Sequence, residues 1–111
     1  MKILELTEKP EESRVIIKFS GSVRSEADKN KIVNAIQKYL DEGKVNFIFD
    51  FSNLEYINSS GIGTFSYFYD KIVRQNKGSL VICSPQDRVL KLFQITNLHI
   101  ILDIKENCEN I

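Results

Sequence analysis

The residues with the clearest capacity for chemistry stand together in Ile57-Asn58-Ser59-Ser60-Gly61-Ile62-Gly63, between a loop and an amphipathic stretch. Asn and Ser favour helix starts because their side chains accept a hydrogen bond from first-turn amides, which accounts for Asn58 or Ser59. It does not account for Gly61 and Gly63, since a glycine in a helix interior lowers stability by about 0.8–1.0 kcal/mol relative to alanine. Bare backbone there lets a partner, or the preceding loop, approach closely. A serine hydroxyl at a helix N-terminus lies where free amides and the helix dipole favour negative charge, so a phosphate ester on Ser59 would be well accommodated. With Ser59 as the cap and Ser60 entering the first turn, Ser59 is expected to be the more accessible acceptor.

Other chemistries find no support. A hydrolase would need a nucleophile with a base, but there is no Gly-x-Ser-x-Gly elbow, and one histidine would have to serve every triad. The glycines at 21, 43, 61, 63 and 78 form neither phosphate-cradling pattern, and the acidic pairs Glu11-Glu12 and Asp41-Glu42 fall at turns or helix ends. No catalytic residue and no cofactor is expected. His99, in Leu98-His99-Ile100, reads as a structural or surface histidine, and no metal site is expected. Cys83 and Cys108 lack a CxxC spacing and indicate neither a disulfide framework nor a zinc knuckle, which fits a reducing, cytoplasmic setting.

The same neutrality limits the partners. Fifteen Lys plus Arg balance fifteen Asp plus Glu, leaving no basic excess for nucleic acid or anionic lipid. No apolar run reaches transmembrane length and the N-terminus MKILELTEKP turns charged by its fifth residue, so neither membrane insertion nor a signal peptide is expected.

The elements that must position the serines follow from periodicity. Lys2 to Thr7 and Arg14 to Phe19 alternate around the charged, turn-rich Glu8 to Ser13, which predicts a hairpin. Ser25-Glu26-Ala27-Asp28 is a helix start signal, and Ile32, Val33, Ile36, Tyr39 and Leu40 follow at helical spacing up to Gly43. Val45 to Phe51 reads as a central strand buried on both faces. The helix after Asn58 carries Ile62, Phe65, Tyr69 and Ile72 on one stripe, widened by Phe68 and Val73, and ends before Asn76; Tyr67 lies off the stripe and is a candidate for a partner surface. Ser79 to Cys83 is a further strand. Ser84 as cap with Pro85 at the first helical position starts a short helix with Val89, Leu92 and Phe93 inward. Leu98 and Ile100 to Ile104 form a last short strand before a frayed polar tail.

The order β-β-α-β-α-β-α-β calls for crossover connections. The fold class is α/β: one domain over residues 1–111, with a core of about residues 3–104 and a polar tail over 105–111. Its sheet is mixed, mostly parallel, of four to five strands, with about three to four helices mainly on one face.

The run Phe47-Ile48-Phe49-Asp50-Phe51-Ser52-Asn53-Leu54-Glu55-Tyr56-Ile57-Asn58-Ser59-Ser60-Gly61-Ile62-Gly63 resembles the signature of the STAS domain of bacterial anti-sigma-factor antagonists, in which a hydrophobic strand ending in Asp and then Ser precedes Asp-Ser-Ser-Gly-Leu-Gly. Phe19-Ser20-Gly21, Gly78 to Cys83, and Ser84-Pro85 with Val89, Leu92, Phe93 and Leu98 extend the likeness to nearly the whole chain. Two positions depart from the pattern: Asn58 stands for the usual Asp, and Arg24 for an acidic or small polar residue.

The resemblance implies a cytoplasmic switch protein, a monomer or weak dimer, that binds an anti-sigma factor with serine-kinase activity and so frees a sigma factor. It implies phosphorylation on Ser59, reversed by a phosphoserine phosphatase, with Arg24, Ser25, Asn58, Ser60, Gly61, Ile62 and Gly63 around the partner-binding site. The ATP belongs to the partner. The alternative on the same fold is an interaction module without a phospho-switch, acting as a scaffold in a stress-signalling complex or as an accessory subunit of a membrane transporter.

Overall fold

The computed structural model describes residues 2–109 and 111. Its sheet grows from the alternation Val15-Ile16-Ile17-Lys18-Phe19, which puts Val15, Ile17 and Phe19 on one face of an extended strand. That strand, β2 (Val15–Val23), pairs antiparallel with the hairpin partner β1 (Glu5–Pro10), with Glu5 opposite Ser20 and Pro10 opposite Val15. On its other side β2 pairs parallel with β3 (Asn46–Ile57), which pairs parallel with β4 (Ser79–Cys83), and β4 with β5 (Asp103–Lys105). The order is β1-β2-β3-β4-β5, a five-stranded mixed sheet.

Each parallel step is bridged by a helix: α1 (Glu26–Asp41), α2 (Ser59–Tyr69) continued by a π-helical turn at Asp70–Gln75, and α3 (Asp87–Ile95). Crossovers that share one hand and always step the same way along the sheet lay their helices on one face. The core lies on that face. Phe19, Phe49, Phe51 and Phe65 are fully buried, and Phe65 of α2 meets the other three edge-on at ring-centroid distances of 5.4, 5.8 and 5.2 Å.

Between Asp50 and Ile57 the strand β3 slips twice against β2: Lys18 faces Asp50 but Ser20 faces Asn53, and Gly21 faces Leu54 but Ser22 faces Tyr56. Each slip inserts one extra residue into β3, which flips the alternation, so the buried positions run Phe47, Phe49, Phe51 and then Leu54 and Ile57. The carboxylate of Asp50 accepts a hydrogen bond at 2.9 Å from the amide of Ser52, at the first slip. On β2 the matching residue is Gly21, at φ +95°, where a Cβ would stand 2.3 Å from the carbonyl oxygen of Ile3; only glycine lets the N-terminal segment cross there.

Several expectations from periodicity are corrected. Phe68, not Tyr69, is fully buried, while Tyr69 packs at the edge of the core, because Phe68 stands three residues after Phe65 and four before Ile72, the spacing of one helical face. The third helix begins at Asp87 with Gln86 as its cap; Ser84, at φ +56°, ends β4 in a left-handed turn and caps nothing. The run Leu98 to Ile104 is not one strand: Leu98–Ile100 is a 3-10 turn, Ile100 and Ile101 are exposed, and pairing is confined to Asp103–Lys105. Cys83 and Cys108 are joined in a disulfide, which their spacing did not indicate. Cβ atoms must come within about 3.5–4.5 Å for that bond, and only the fold brings them there. Cys108 in the tail is correspondingly tied to β4, against the expectation of a frayed tail.

Phe65→Ala removes the ring that three others surround, so it should cost about 3–5 kcal/mol of stability, measured by urea unfolding at unchanged denaturant slope.

Candidate functional site

The site grows from the two slips. They deliver Val23 at the end of β2 and Ile57 at the end of β3 as register partners, both fully buried. Asn58 then stitches the ladder to the helix. Its backbone amide donates to the carbonyl of Val23 at 3.1 Å, and its side-chain amide donates to the carbonyl of Arg24 at 2.9 Å. Its Oδ1 accepts from the amide of Gly61 at 2.8 Å. Asn58 is therefore the N-cap of α2, and Ser59 and Ser60 are its first two residues; the expectation that Ser59 caps is corrected. Asparagine does here what aspartate cannot, because a carboxylate could accept from Gly61 but not donate to Arg24.

Gly61 is buried, with a Cβ at this position only 2.7 Å from Cγ1 of Ile57 and 2.9 Å from Cγ1 of Val23, so the helix can start directly on the strand ends. Ile62 is 5% exposed and belongs to the core. Both were expected in the partner-binding set, and burial makes them supports beneath the surface. Gly63 is exposed, and a Cβ there would meet nothing within 4 Å. Ser59, Gly63 and Tyr67 recur every fourth residue and lie on one exposed ridge of α2, with Ser60 exposed beside it. Tyr67 is 54% exposed and carries the Lys71 ammonium 5.6 Å from its ring centroid.

The second loop, between β2 and α1, lies against this start. Ser25 caps α1: its hydroxyl accepts from the amide of Asp28 at 3.1 Å, while Asp28 Oδ2 accepts from the amides of Ser25 at 3.0 Å and Arg24 at 2.9 Å. Those bonds, the one from Arg24 foremost, hold the Asp28 carboxyl below its usual 3.8. The Arg24 side chain is exposed, with its guanidinium 4.1 Å from the ring centroid of Tyr56, which steadies a cation beside the loop pair. Tyr56 was not singled out from sequence, because only the second slip in β3 brings it opposite Ser22.

What this arrangement offers is a surface. An exposed serine at a helix start, a glycine one turn on, an exposed tyrosine and a stacked arginine form a ridge. His99 is exposed, away from this ridge on the 3-10 turn, with Nδ1 3.4 Å from the carbonyl of Phe93. Asp50, Cys83 and Cys108 bring a carboxylate and two sulfurs within 4.8 Å of one another, but the sulfurs are bonded to each other. Among the described residues no helix is long and apolar enough to cross a membrane.

The two glycines should respond oppositely to alanine. Gly61→Ala should destabilise by about 1–3 kcal/mol through overpacking. Gly63→Ala should stabilise by about 0.8–1.0 kcal/mol through helix propensity. Chemical denaturation of both variants checks the contrast. For Asp28, a folded pKa below the unfolded one gives stability that is present above the unfolded value and lost as pH falls through the folded one. The melting temperature of Asp28→Asn should accordingly fall short of wild type at neutral pH, and the gap should close once the pH is well below 3.8.

Comparison with known proteins matches residues 4–111 to the STAS domain. The anti-sigma-B factor antagonist of Listeria monocytogenes is 32% identical over 75 residues, which are 68% of this chain and 65% of that protein; the match thus spans just under two thirds of the relative's length. The anti-sigma factor antagonist SpoIIAA in its unphosphorylated form superposes with a TM-score of 0.76 at 19% identity, covering 92% of this chain and 87% of that one. The Bacillus cell fate determinant SpoIIAA in its phosphorylated form gives 0.68 at 19% identity, over 92% and 90%. With the sheet order, the glycine-supported helix start and the family match over nearly its whole length, this chain belongs to the STAS domain family.

Proposed function

We propose that this protein is an anti-sigma-factor antagonist that binds an anti-sigma factor through the ridge at the start of α2 and so frees a sigma factor. The contacting residues are Arg24, Ser25, Asn58, Ser59, Ser60, Gly63 and Tyr67, with Gly61 and Ile62 fixing the helix beneath them. The protein acts by binding and not by catalysis, in the cytoplasm, as a monomer or weak dimer. The anti-sigma factor is also a serine kinase, and its phosphorylation of Ser59 switches binding off until a phosphoserine phosphatase restores it.

The observation that carries this reading is Ser59, exposed at the first position of α2. The first amides of a helix have no intrahelical partners, and the dipole there favours an anion, so the free domain tolerates a phosphoserine of about −1.5 to −2 charges. In an interface the same dianion has to be desolvated or faced by the partner's own groups, which costs several kcal/mol when it is unpaired. Gly63, which nothing in the fold requires, has the place of a residue that lets a partner backbone approach the serine. The likeness to the Listeria anti-sigma-B factor antagonist and to SpoIIAA, solved in both phosphorylation states, supports the same reading.

Calorimetric titration of the cognate anti-sigma factor tests it. Ser59→Ala should bind like wild type, and stoichiometrically phosphorylated protein should bind about a hundredfold more weakly, a loss of about 2.8 kcal/mol. Ser59→Asp should change in the same direction to a smaller extent. All forms should melt alike by circular dichroism. With ATP, the kinase should label wild type and Ser60→Ala and leave Ser59→Ala unlabelled. Equal affinities across the series would overturn the switch, and absence of any binding would overturn the antagonist reading.

A further inference from the structure

All three helices cover one face of the sheet, and the opposite face is where Cys83 points. Leu80 and Ile82 enter the helix-side core, so alternation turns Val81 and Cys83 the other way, along with Ile16, Ile48, Asp50 and Arg14. Yet Cys83 is fully buried and Ile48 is 8% exposed, although neither belongs to the helix-side cluster. The chain beyond β5 returns to this face. It is anchored at Cys108 by the disulfide to Cys83, and at its far end the Arg14 guanidinium donates to the backbone carbonyl oxygen of Ile111 at 2.5 Å. Cys108 is thus fixed at the end of β4 and Ile111 beside the residue that precedes β2, two points on the open face.

Among its described residues Glu106, Asn107 and Glu109 are exposed, and Cys108 and Ile111 are half-buried. Across the face beneath lie Lys18, Asp50, Cys83 and Lys105 in one register row, three of them charged. A segment with so little apolar burial of its own stays down mainly because a covalent bond keeps its end at high effective concentration.

We propose that residues 106–109 and Ile111 form a redox-released strap over the open sheet face, closed by the Cys83–Cys108 disulfide and freed when a dithiol reductant cleaves it. One thiolate of the reductant attacks the sulfur of Cys108, the more accessible of the two, and the sulfur of Cys83 leaves and takes up a proton. The second thiol of the reductant then displaces Cys108, which is protonated in turn. The protein gains two electrons and two protons as two thiols, and the reductant ends as its own disulfide. Disulfides in reducing compartments are usually transient or redox-sensing, so the bond suits a switch better than a permanent staple. Release uncovers Ile16, Ile48, Asp50 and Val81, on the face away from Ser59 and its helix, so this control is independent of the proposed phosphorylation.

The test uses the full chain, labelled with nitrogen-15 and prepared without reductant, before and after excess dithiothreitol, with Cys108→Ser beside it. Alkylation after denaturation should find no free thiol in the oxidised protein and two after reduction. The heteronuclear NOE of residues 106–109 should match that of the strands when oxidised. It should fall to free-terminus values on reduction and in Cys108→Ser under both conditions. Amide shifts should move at residues 16, 48 and 81 and stay fixed along α2. Two free thiols in protein treated with a mild oxidant would overturn the proposal. So would a tail that stays rigid after complete reduction, or a Cys108→Ser protein whose tail is as rigid as the oxidised wild type.

Discussion

The parallel pairing of β2 with β3, extended past two slips to Val23 and Ile57, is the interaction on which the rest of the molecule depends. Its first half lines up Val15, Ile17 and Phe19 with Phe47, Phe49 and Phe51 as one apolar face, against which Phe65 of α2 and Phe93 of α3 pack. Its second half does something different. By spending two extra residues in β3, it keeps Leu54 and Ile57 inward and brings both strand ends to one level. Asn58 can then reach a carbonyl of each of the two residues ending β2 and starting the next loop while also capping α2. The exposed serine is thus set by backbone pairing and by a missing Cβ at Gly61, with no charged group needed to hold it.

The two loops at this end are rigid for related reasons. Each closes on a side chain that binds the first amides of the following helix, Ser25 and Asp28 for α1 and Asn58 for α2. Because the Asn58 amide also bonds the backbone of Arg24, displacing either loop breaks a hydrogen bond of the other. A partner that grips the start of α2 therefore meets a prearranged surface, and little ordering entropy is left to lose on binding. A phosphate at Ser59 would add charge to that surface without disturbing its supports, since Val23, Ile57 and Ile62 lie beneath it and are buried.

The two faces of the sheet are unlike. On the helix face, stability comes from close packing of large rings, which is cooperative and tolerates no gap. On the other face the C-terminal segment is tied by one disulfide and one arginine. The edges follow the same division: β5 has only three residues, and β1 carries charged side chains and ends in Pro10, both of which discourage pairing with a further strand.

Wherever the information was local, the amino-acid sequence by itself determined the outcome. The period of α1, the capping signal Ser25-x-x-Asp28, the apolar first half of β3 and a helix start within Asn58-Ser59-Ser60-Gly61 all appear, though the cap falls on Asn58 and β3 runs on to Ile57, because each depends on neighbours within a turn or on alternation along one strand. What only the tertiary structure decided was non-local. The slips in β3 are defined only against β2, so the inward turn of Leu54 and Ile57 and the stacking of Tyr56 on Arg24 cannot be counted from β3 alone. Phe68 and Tyr69 both fit a helical stripe through Phe65 and Ile72, so only packing against the sheet chooses Phe68 for full burial. Gly61 and Gly63 look alike in the chain, yet one is closed in by Val23 and Ile57 and the other faces open space. Cys83 and Cys108 carry no spacing signal, because the distance between their sulfurs is set by where β4 ends and where the last segment crosses the sheet, and a fold alone brings such distant positions into bonding range.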